Sequence, residues 1–381
     1  MNHTIIPTPP LVMYQKRFVS IHSEDRDITK HPNSAEFDIE LPEDVTNVSS
    51  IRLVSWTFPS NYNTFSELNS NVLLSFKFNS IYNPYGRITD DLQTSIFSCL
   101  DSSKNIPFVI QIEDGFYNPE QLAIVLANKM NESVSQKIRS YLTANSLSSQ
   151  LSTFDASGGY TNFRVVYNRI SQKMWFGNVN DEFSLLNNDA VTKPRTRLPD
   201  SVNWGLPNNL GFSQGEIKSV TRVGYSPRFY YGDVTIGDNG YWLMPPSRFI
   251  GASCSYIEAP YKLNIMGPSY FYIELEGHNC VDETSPFHLN KHTRHTNDTN
   301  GRVNSSFAKI AVPSTPMSQF FDRDSAPVKI YSPALERVRR LKIKLRYHDG
   351  EVVNFGLFDY SFMLEFDVVQ PVTINKNLRQ Y

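Results

Sequence analysis

The sequence predicts an all-β fold: a jelly-roll β-sandwich with one amphipathic helix, long loop insertions and extended terminal arms. Three observations carry this. Roughly a dozen short segments alternate or cluster apolar residues as strands do. No strand–helix–strand alternation appears, which argues for antiparallel pairing. The composition is rich in Tyr (20) and Phe (25), with only 19% charged residues and abundant Asn, Ser and Pro, the mixture expected of strands joined by polar loops.

The elements follow in order. Residues 1–16 carry Pro7, Pro9 and Pro10 and no periodicity, so they read as an extended arm. Residues 17–22 (RFVSIH) form a strand candidate, followed by the charged turn Ser23-Glu-Asp-Arg-Asp27. Phe37, Ile39 and Leu41 alternate with Glu36, Asp38 and Glu40, a half-buried strand that Pro42 should stop. Val48 to Phe58 is a longer strand stopped by Pro59, and residues 61–71 are a polar loop. Residues 72–78 and 107–112 are further strands.

One helix is clear. Asn118 suits the N-cap, Pro119 the first helical position and Gln121 the reciprocal place of a capping box. Leu122, Val125, Leu126, Met130, Val134 and Ile138 then recur at helical spacing over about six turns, an apolar stripe that should cover a sheet. Residues 141–160 read as a Ser/Gly-rich loop, and strands resume at 163–167, 173–176 and 183–186. Residues 187–268 hold turn residues, prolines and many aromatics, and read as an ordered insertion with short strands. Strands follow at 270–276, 307–312 and 328–331. Residues 339–346 alternate strictly, Asp349-Gly350 turns the chain toward 352–355, and residues 362–368 close the set.

The length, 381 residues, allows two or three domains, yet one elaborated sandwich can absorb much of it. The strand order favours one jelly-roll domain over residues 17–369, with an insertion at about 187–268, between an N-terminal arm (1–16) and a C-terminal tail (370–381). No leader pattern or apolar run long enough to span a membrane is visible. Cys99, Cys254 and Cys280 are odd in number and lack metal-type spacing, which fits free thiols in a reducing compartment. Lys and Arg (36) nearly balance Asp and Glu (38), for a net charge of −2, which argues against a dedicated DNA-packaging role.

The search for chemistry yields three segments. His278, Cys280, Asp282, Glu283, His288, His292 and His295 crowd residues 278–295, and zinc accepts such ligands, but Pro286 and the polar run after His292 read as a solvated loop. Arg337, Arg339, Arg340, Lys342, Lys344 and Arg346 line a basic stripe at 337–346. It could face nucleic acid, an anionic membrane or an acidic subunit, while a solvated face of a half-buried strand is the plainer reading. Glu24-Asp25-Arg26-Asp27 could hold calcium but lacks the spacing and glycine of a known loop, so a structural turn is favoured. No phosphate loop, nucleophile elbow or zinc-protease motif occurs, and no residue is assigned a catalytic, cofactor-binding or metal-ligating role.

Several motifs, taken in order, are similar to a known family. They are Ser20-Ile-His-Ser-Glu-Asp-Arg-Asp27, Pro32-Asn-Ser-Ala-Glu-Phe-Asp-Ile-Glu-Leu-Pro42, Val48 to Pro59 ending in Trp-Thr-Phe-Pro, and Ile112-Glu-Asp-Gly-Phe-Tyr-Asn118 with its helix. Residues 163–176, Asn209-Leu-Gly-Phe212 and the closing strands of 341–368 continue the series. The order resembles virion structural proteins of large nucleocytoplasmic DNA viruses, of the minor capsid or penton type. The resemblance implies a jelly-roll protein of an icosahedral shell, assembled in the host cytoplasm. It would contact the major capsid protein and neighbouring minor capsid proteins and form a homo-oligomer, a pentamer if it sits at the five-fold vertex. It implies no enzyme activity, no cofactor and no sequence-specific nucleic acid. Two other readings compete: a lectin-like host-attachment module stacking sugars on the aromatics of 204–242, and a metal-dependent cupin-type enzyme built on the histidines of 278–295.

Overall fold

A computed structural model describes the chain apart from residues 1–11, 60–62, 68, 88–89, 189–203, 222–228, 231–232, 235–242, 244–248, 250, 284–303, 313–318, 323–326, 349 and 372–381. The first elements are β1 (Val12–His22), β2 (Glu36–Pro59), β3 (Leu73–Ser80), α1 (Asp91–Ser102), β4 (Phe108–Gln111), α2 (Pro119–Ala144) and α3 (Ser148–Ala156). Next come β5 (Phe163–Asn168), β6 (Lys173–Asn178), β7 (Glu182–Asn187), α4 (Leu206–Asn209), β8 (Gly215–Lys218), β9 (Val220–Thr221), β10 (Phe229–Tyr230), β11 (Asp233–Val234) and β12 (Ser255–Glu258). The last are β13 (Tyr270–Leu275), β14 (Val281–Glu283), β15 (Asn304–Ser306), β16 (Ala308–Ala311), β17 (Gln319–Asp322), β18 (Val328–Arg346) and β19 (Ser361–Pro371). All the described strand pairings are antiparallel, so the predicted fold class holds.

The single domain expected over 17–369 is not how the chain condenses. It divides into two compact units, Met1–Tyr62 with Pro268–Tyr381, and Asn63–Gly267. The second unit is thus inserted whole between strands of the first, and is much longer than the expected insertion at 187–268. The physical reason is that two separate cores form, which a one-dimensional pattern of apolar residues does not distinguish.

The first unit is a seven-stranded sheet in the order β1-β19-β2-β18-β13-β16, with β17 also on β2 and a β14–β15 hairpin beside it. β2 is its axis: residues 36–52 pair β18, residues 48–57 pair β19, and 56–59 pair β17. Two predicted strand ends are absorbed here. Pro42 does not stop the strand, because it lies where the β18 register slips between Arg340↔Glu40 and Val338↔Val45, and a bulge tolerates a residue without an N–H. The segments 328–331 and 339–346 likewise join into one β18 across a second slip, between Ile330 and Leu335. Inward residues build an aromatic centre around Phe58, whose ring lies 4.9 Å from Phe271, 4.9 Å from Tyr360 and 6.0 Å from Phe355. Residues 12–16, expected in an arm, are the first half of β1, and residues 370–371 finish β19; the rest of both predicted arms lies outside the described residues.

The second unit is a sandwich of two four-stranded sheets, β4-β3-β7-β8 and β5-β6-β12-β9. Phe163 of one sheet meets Phe76 at 5.0 Å, Phe183 at 5.2 Å and Phe78 at 5.7 Å from the other, which fixes the face-to-face packing. α2 forms as the sequence predicts. The Asn118 side chain accepts from the Gln121 N–H, the Gln121 side chain answers to the Asn118 N–H, and Leu122, Leu126, Met130, Val134 and Ile138 are buried. It is not the one helix, however. α1, capped by Asp90, and α3 accompany it, and α3 occupies part of the predicted 141–160 loop. The Ser-rich sequence of α3 buries only Phe154, so its apolar periodicity is nearly silent.

Candidate interaction surface

The motif Ser20 to Asp27 builds a short structural knot. The Ser23 N–H donates to the Tyr360 carbonyl at 2.9 Å, and the Ser23 hydroxyl to Asp359 Oδ1 at 2.8 Å. Arg26 points inward, donating to the Ser23 carbonyl at 2.6 Å, the His31 carbonyl at 3.1 Å and Asp359 at 3.0 Å. Asp27 holds its own turn, accepting from the Thr29 hydroxyl and the Thr29 and Lys30 N–H groups; the Thr29 hydroxyl leads in keeping its pKa below the usual carboxylate value. Asp27 serves the turn, Arg26 pairs Asp359 rather than a carboxylate of the turn itself, and Glu24 and Asp25 remain exposed.

The basic stripe is neutralised by its neighbours. Register places Arg340 opposite Glu40, Lys342 opposite Asp38 and Lys344 opposite Glu36. Arg337 pairs Asp44 at 3.4 Å, Arg339 pairs Glu40 at 3.8 Å, Arg340 pairs Asp38, and Lys342 pairs Glu276 at 2.9 Å. Arg346 is buried and does not belong to an outer face at all. It donates to Glu274 and doubly to Glu283 (2.5 and 3.2 Å), beneath the ring of Tyr272. Burial alone would lower its pKa, but the two carboxylates raise it. A cationic ladder matched residue by residue to an anionic one presents little net field to a phosphate backbone.

The described members of 278–295, His278, Cys280, Asp282 and Glu283, do not converge on one point. His278 Nδ1 contacts the Tyr331 hydroxyl at 2.5 Å, and Lys329 donates to the Asn279 carbonyl beside it at 2.9 Å. Burial, with help from Lys329, lowers the His278 pKa, and burial beside Cys280 pushes Tyr331 up to about 12. Glu283 faces Arg346 and His348 instead. Among the described residues no three His, Cys, Asp or Glu side chains are grouped to hold a metal ion; His288, His292 and His295 lie outside them. The three cysteines are free thiols, and burial pushes Cys99 up to about 11. Of the aromatics in 204–242, Trp204 is buried and so offers no stacking face, while Tyr225, Tyr231, Tyr241 and Trp242 lie outside the described residues.

The motif Asn209-Leu-Gly-Phe212 is also structural. Leu210 and Phe212 are buried, and Asn209 donates to the Asn264 carbonyl at 3.0 Å. Gly211 has φ +88° and a Cβ there would lie 2.3 Å from the Tyr261 carbonyl oxygen, so only glycine fits.

Three features went unread in the sequence. The first is a ribbon. The β19 register on β2 ends at Val368↔Val48, whereas its register on β1 runs on to Val12↔Pro371. This brings both ends of the described chain side by side, with Met13 56% and Tyr14 64% exposed. The second is an apolar tip after Phe355. Leu357 is 100% exposed and Phe358 55%, on a turn held by the Gly356 N–H to Asn354 Oδ1 (2.9 Å) and the Phe358 N–H to the Phe355 carbonyl (3.3 Å). Its only sequence signal is two large apolar residues inside a turn. The third lies in the second unit. Asp181 is buried, accepts from the Tyr82 N–H and the Tyr160 hydroxyl (both 2.8 Å), and borders a small open pocket of about 20 Å³, room for about one water. Burial pushes its carboxyl up to about 6, against those two hydrogen bonds.

No protein-family model matches this sequence, and no curated protein does. Two solved structures are similar in outline. The mavirus penton protein is 7% identical, with a TM-score of 0.39 over 93% of this chain and 99% of its own. A chain of the Sputnik virophage is 12% identical, with a TM-score of 0.38 over 98% of this chain and 100% of its own.

Proposed function

We propose that this chain is a structural component of an icosahedral virus capsid, of the minor capsid or penton type, acting through protein–protein contacts. The β1/β19 ribbon is the observation that carries the proposal. A two-stranded ribbon is marginal in water by itself, and this one projects past its sheet with Met13 and Tyr14 uncovered. Such a projection suits a subunit whose ends are to be covered by neighbours, through added strands or apolar contacts. The ordered sequence motifs support the same reading: those at 20–27 and 209–212 are knots that hold loops at the margins of their sheets. The near-neutral charge and the matched β2/β18 ladder fit a surface that meets protein rather than genome.

In this reading the partners are the major capsid protein, neighbouring minor capsid proteins and further copies of the chain, as a pentamer at the five-fold vertex. Its place is the virion shell, with assembly in the host cytoplasm. Native mass spectrometry of the purified chain, joined to immunogold labelling of intact particles, tests this. A closed pentamer and labelling at the vertices are expected. A monomer at all concentrations, with unlabelled particles, would overturn it.

A further inference from the structure

We propose that the tip formed by the loops at 23–28 and 355–359 is the docking site for residues 372–381 of a second copy of this chain. The proposal rests on the assembly reading above and deepens it by naming one contact. The tip is built to hold its shape: Ser23, Arg26, Asp359 and Tyr360 tie the two loops together through the hydrogen bonds described. Its surface combines three uncovered apolar side chains, Leu357 (100% exposed), Ile28 (60%) and Phe358 (55%), with the exposed carboxylates of Glu24 and Asp25. Among the described residues neither carboxylate has an ion-pair partner, and the local cation, Arg26, is turned inward. The tip therefore asks for a ligand that is apolar and basic together.

Residues 372–381, Val-Thr-Ile-Asn-Lys-Asn-Leu-Arg-Gln-Tyr, have that chemistry: Val372, Ile374 and Leu378 interleave with Lys376 and Arg379. Reach favours a contact between copies. β19 runs from Ser361, beside the tip, to Pro371, a span of about 34 Å for an extended strand. Lys376 and Arg379 lie five and eight residues beyond Pro371, at most about 18 and 29 Å of chain. Lys376 falls short of its own tip even with its side chain extended, and Arg379 would reach it only with the whole tail straight and doubled back along β19, so a second copy is the favoured source. Tip and tail are different surfaces, so the contact is heterologous, the kind that closes into a ring when the rotation allows.

Sedimentation velocity of the full chain tests this with charge reversal and rescue. Lys376→Glu with Arg379→Glu should weaken self-association about tenfold or more, and Glu24→Lys with Asp25→Lys should do the same. All four together should restore it to within about threefold, a recovery that misfolding could not produce. Leu357→Asp should also weaken association about tenfold with an unchanged circular dichroism spectrum. Unaltered association in the reversed tail, or four reversals that fail to restore it, would overturn the proposal. Particles that still carry the chain when rescue fails would defeat this contact and leave the capsid reading standing. Rescue in solution with unlabelled particles would do the reverse.

Discussion

The two units solve the same burial problem differently. The first spreads its stability along strands of 24 and 19 residues, β2 and β18, whose outer faces are zipped by matched charges. The second concentrates it in one aromatic centre between two short-stranded sheets, roofed by α2. A long ladder tolerates local damage but leaves ends to be covered. A compact sandwich hides its polar groups, and so must hydrogen-bond each one or shift its pKa. The contrast places the exposed ribbon and the apolar tip on the unit built of long strands.

The largest test strikes the sandwich centre. Phe163→Ala should cost about 3–5 kcal/mol, because the ring touches aromatics of the facing sheet and the space cannot collapse easily. Hydrogen exchange should accelerate across β3, β5, β6 and β7 while the β1/β19/β2 ladder keeps its protection; equal loss in both units would erase the contrast. Next, Glu283→Gln leaves the buried Arg346 with a weakened partner and should cost about 3 kcal/mol in urea denaturation. Adding Arg346→Met should recover part of that loss, and no recovery would mean the pair is not the source.

The two units should also respond oppositely to pH. The Asp181 carboxyl sits at about 6 against an ordinary 3.8, so the folded second unit binds the proton more tightly than the unfolded chain. Its contribution is full below pH 3.8 and lost as pH rises through 6, up to about 3 kcal/mol. Glu365 in the first unit runs the other way. Burial would raise its pKa, but Arg52 and Lys16, at 2.9 and 2.6 Å, hold it below the ordinary value. Its contribution is present above the ordinary Glu value of 4.5 and lost as pH falls through its lowered value. Protection measured by hydrogen exchange between pH 4 and 7 should fall in the second unit with rising pH, and Asp181→Asn should flatten that slope. The smallest effect belongs to the exposed rungs: Arg339→Ala, 3.8 Å from Glu40, should change stability by under about 0.5 kcal/mol in thermal melts. A larger loss would mean the ladder acts as a network.

Much of this architecture was legible locally. The capping box of α2, its apolar stripe, the alternation of Phe37, Ile39 and Leu41, and the turn at Gly350 (φ +94°, its N–H on the Tyr347 carbonyl at 3.1 Å) all follow from residues close in sequence. The candidate surface was legible only in part. The turn at 23–27 was visible as a charged structural loop, but its union with Asp359 and Tyr360 was not. Apolar residues at 357 and 358 signal nothing until the turn is seen to leave them outside.

By itself, then, the sequence determined which residues alternate, which helix caps itself and which fold class results, because a period of two or 3.6 is set by neighbours along the chain. Partners were decided only in three dimensions. Lys16 finds Glu365, and Pro42 falls in a bulge instead of ending a strand, because register is chosen by burial across the whole sheet. The same holds for charge. The cations of 337–344 form a basic stripe in one dimension and a largely neutralised ladder once β2 and Glu276 lie beside them.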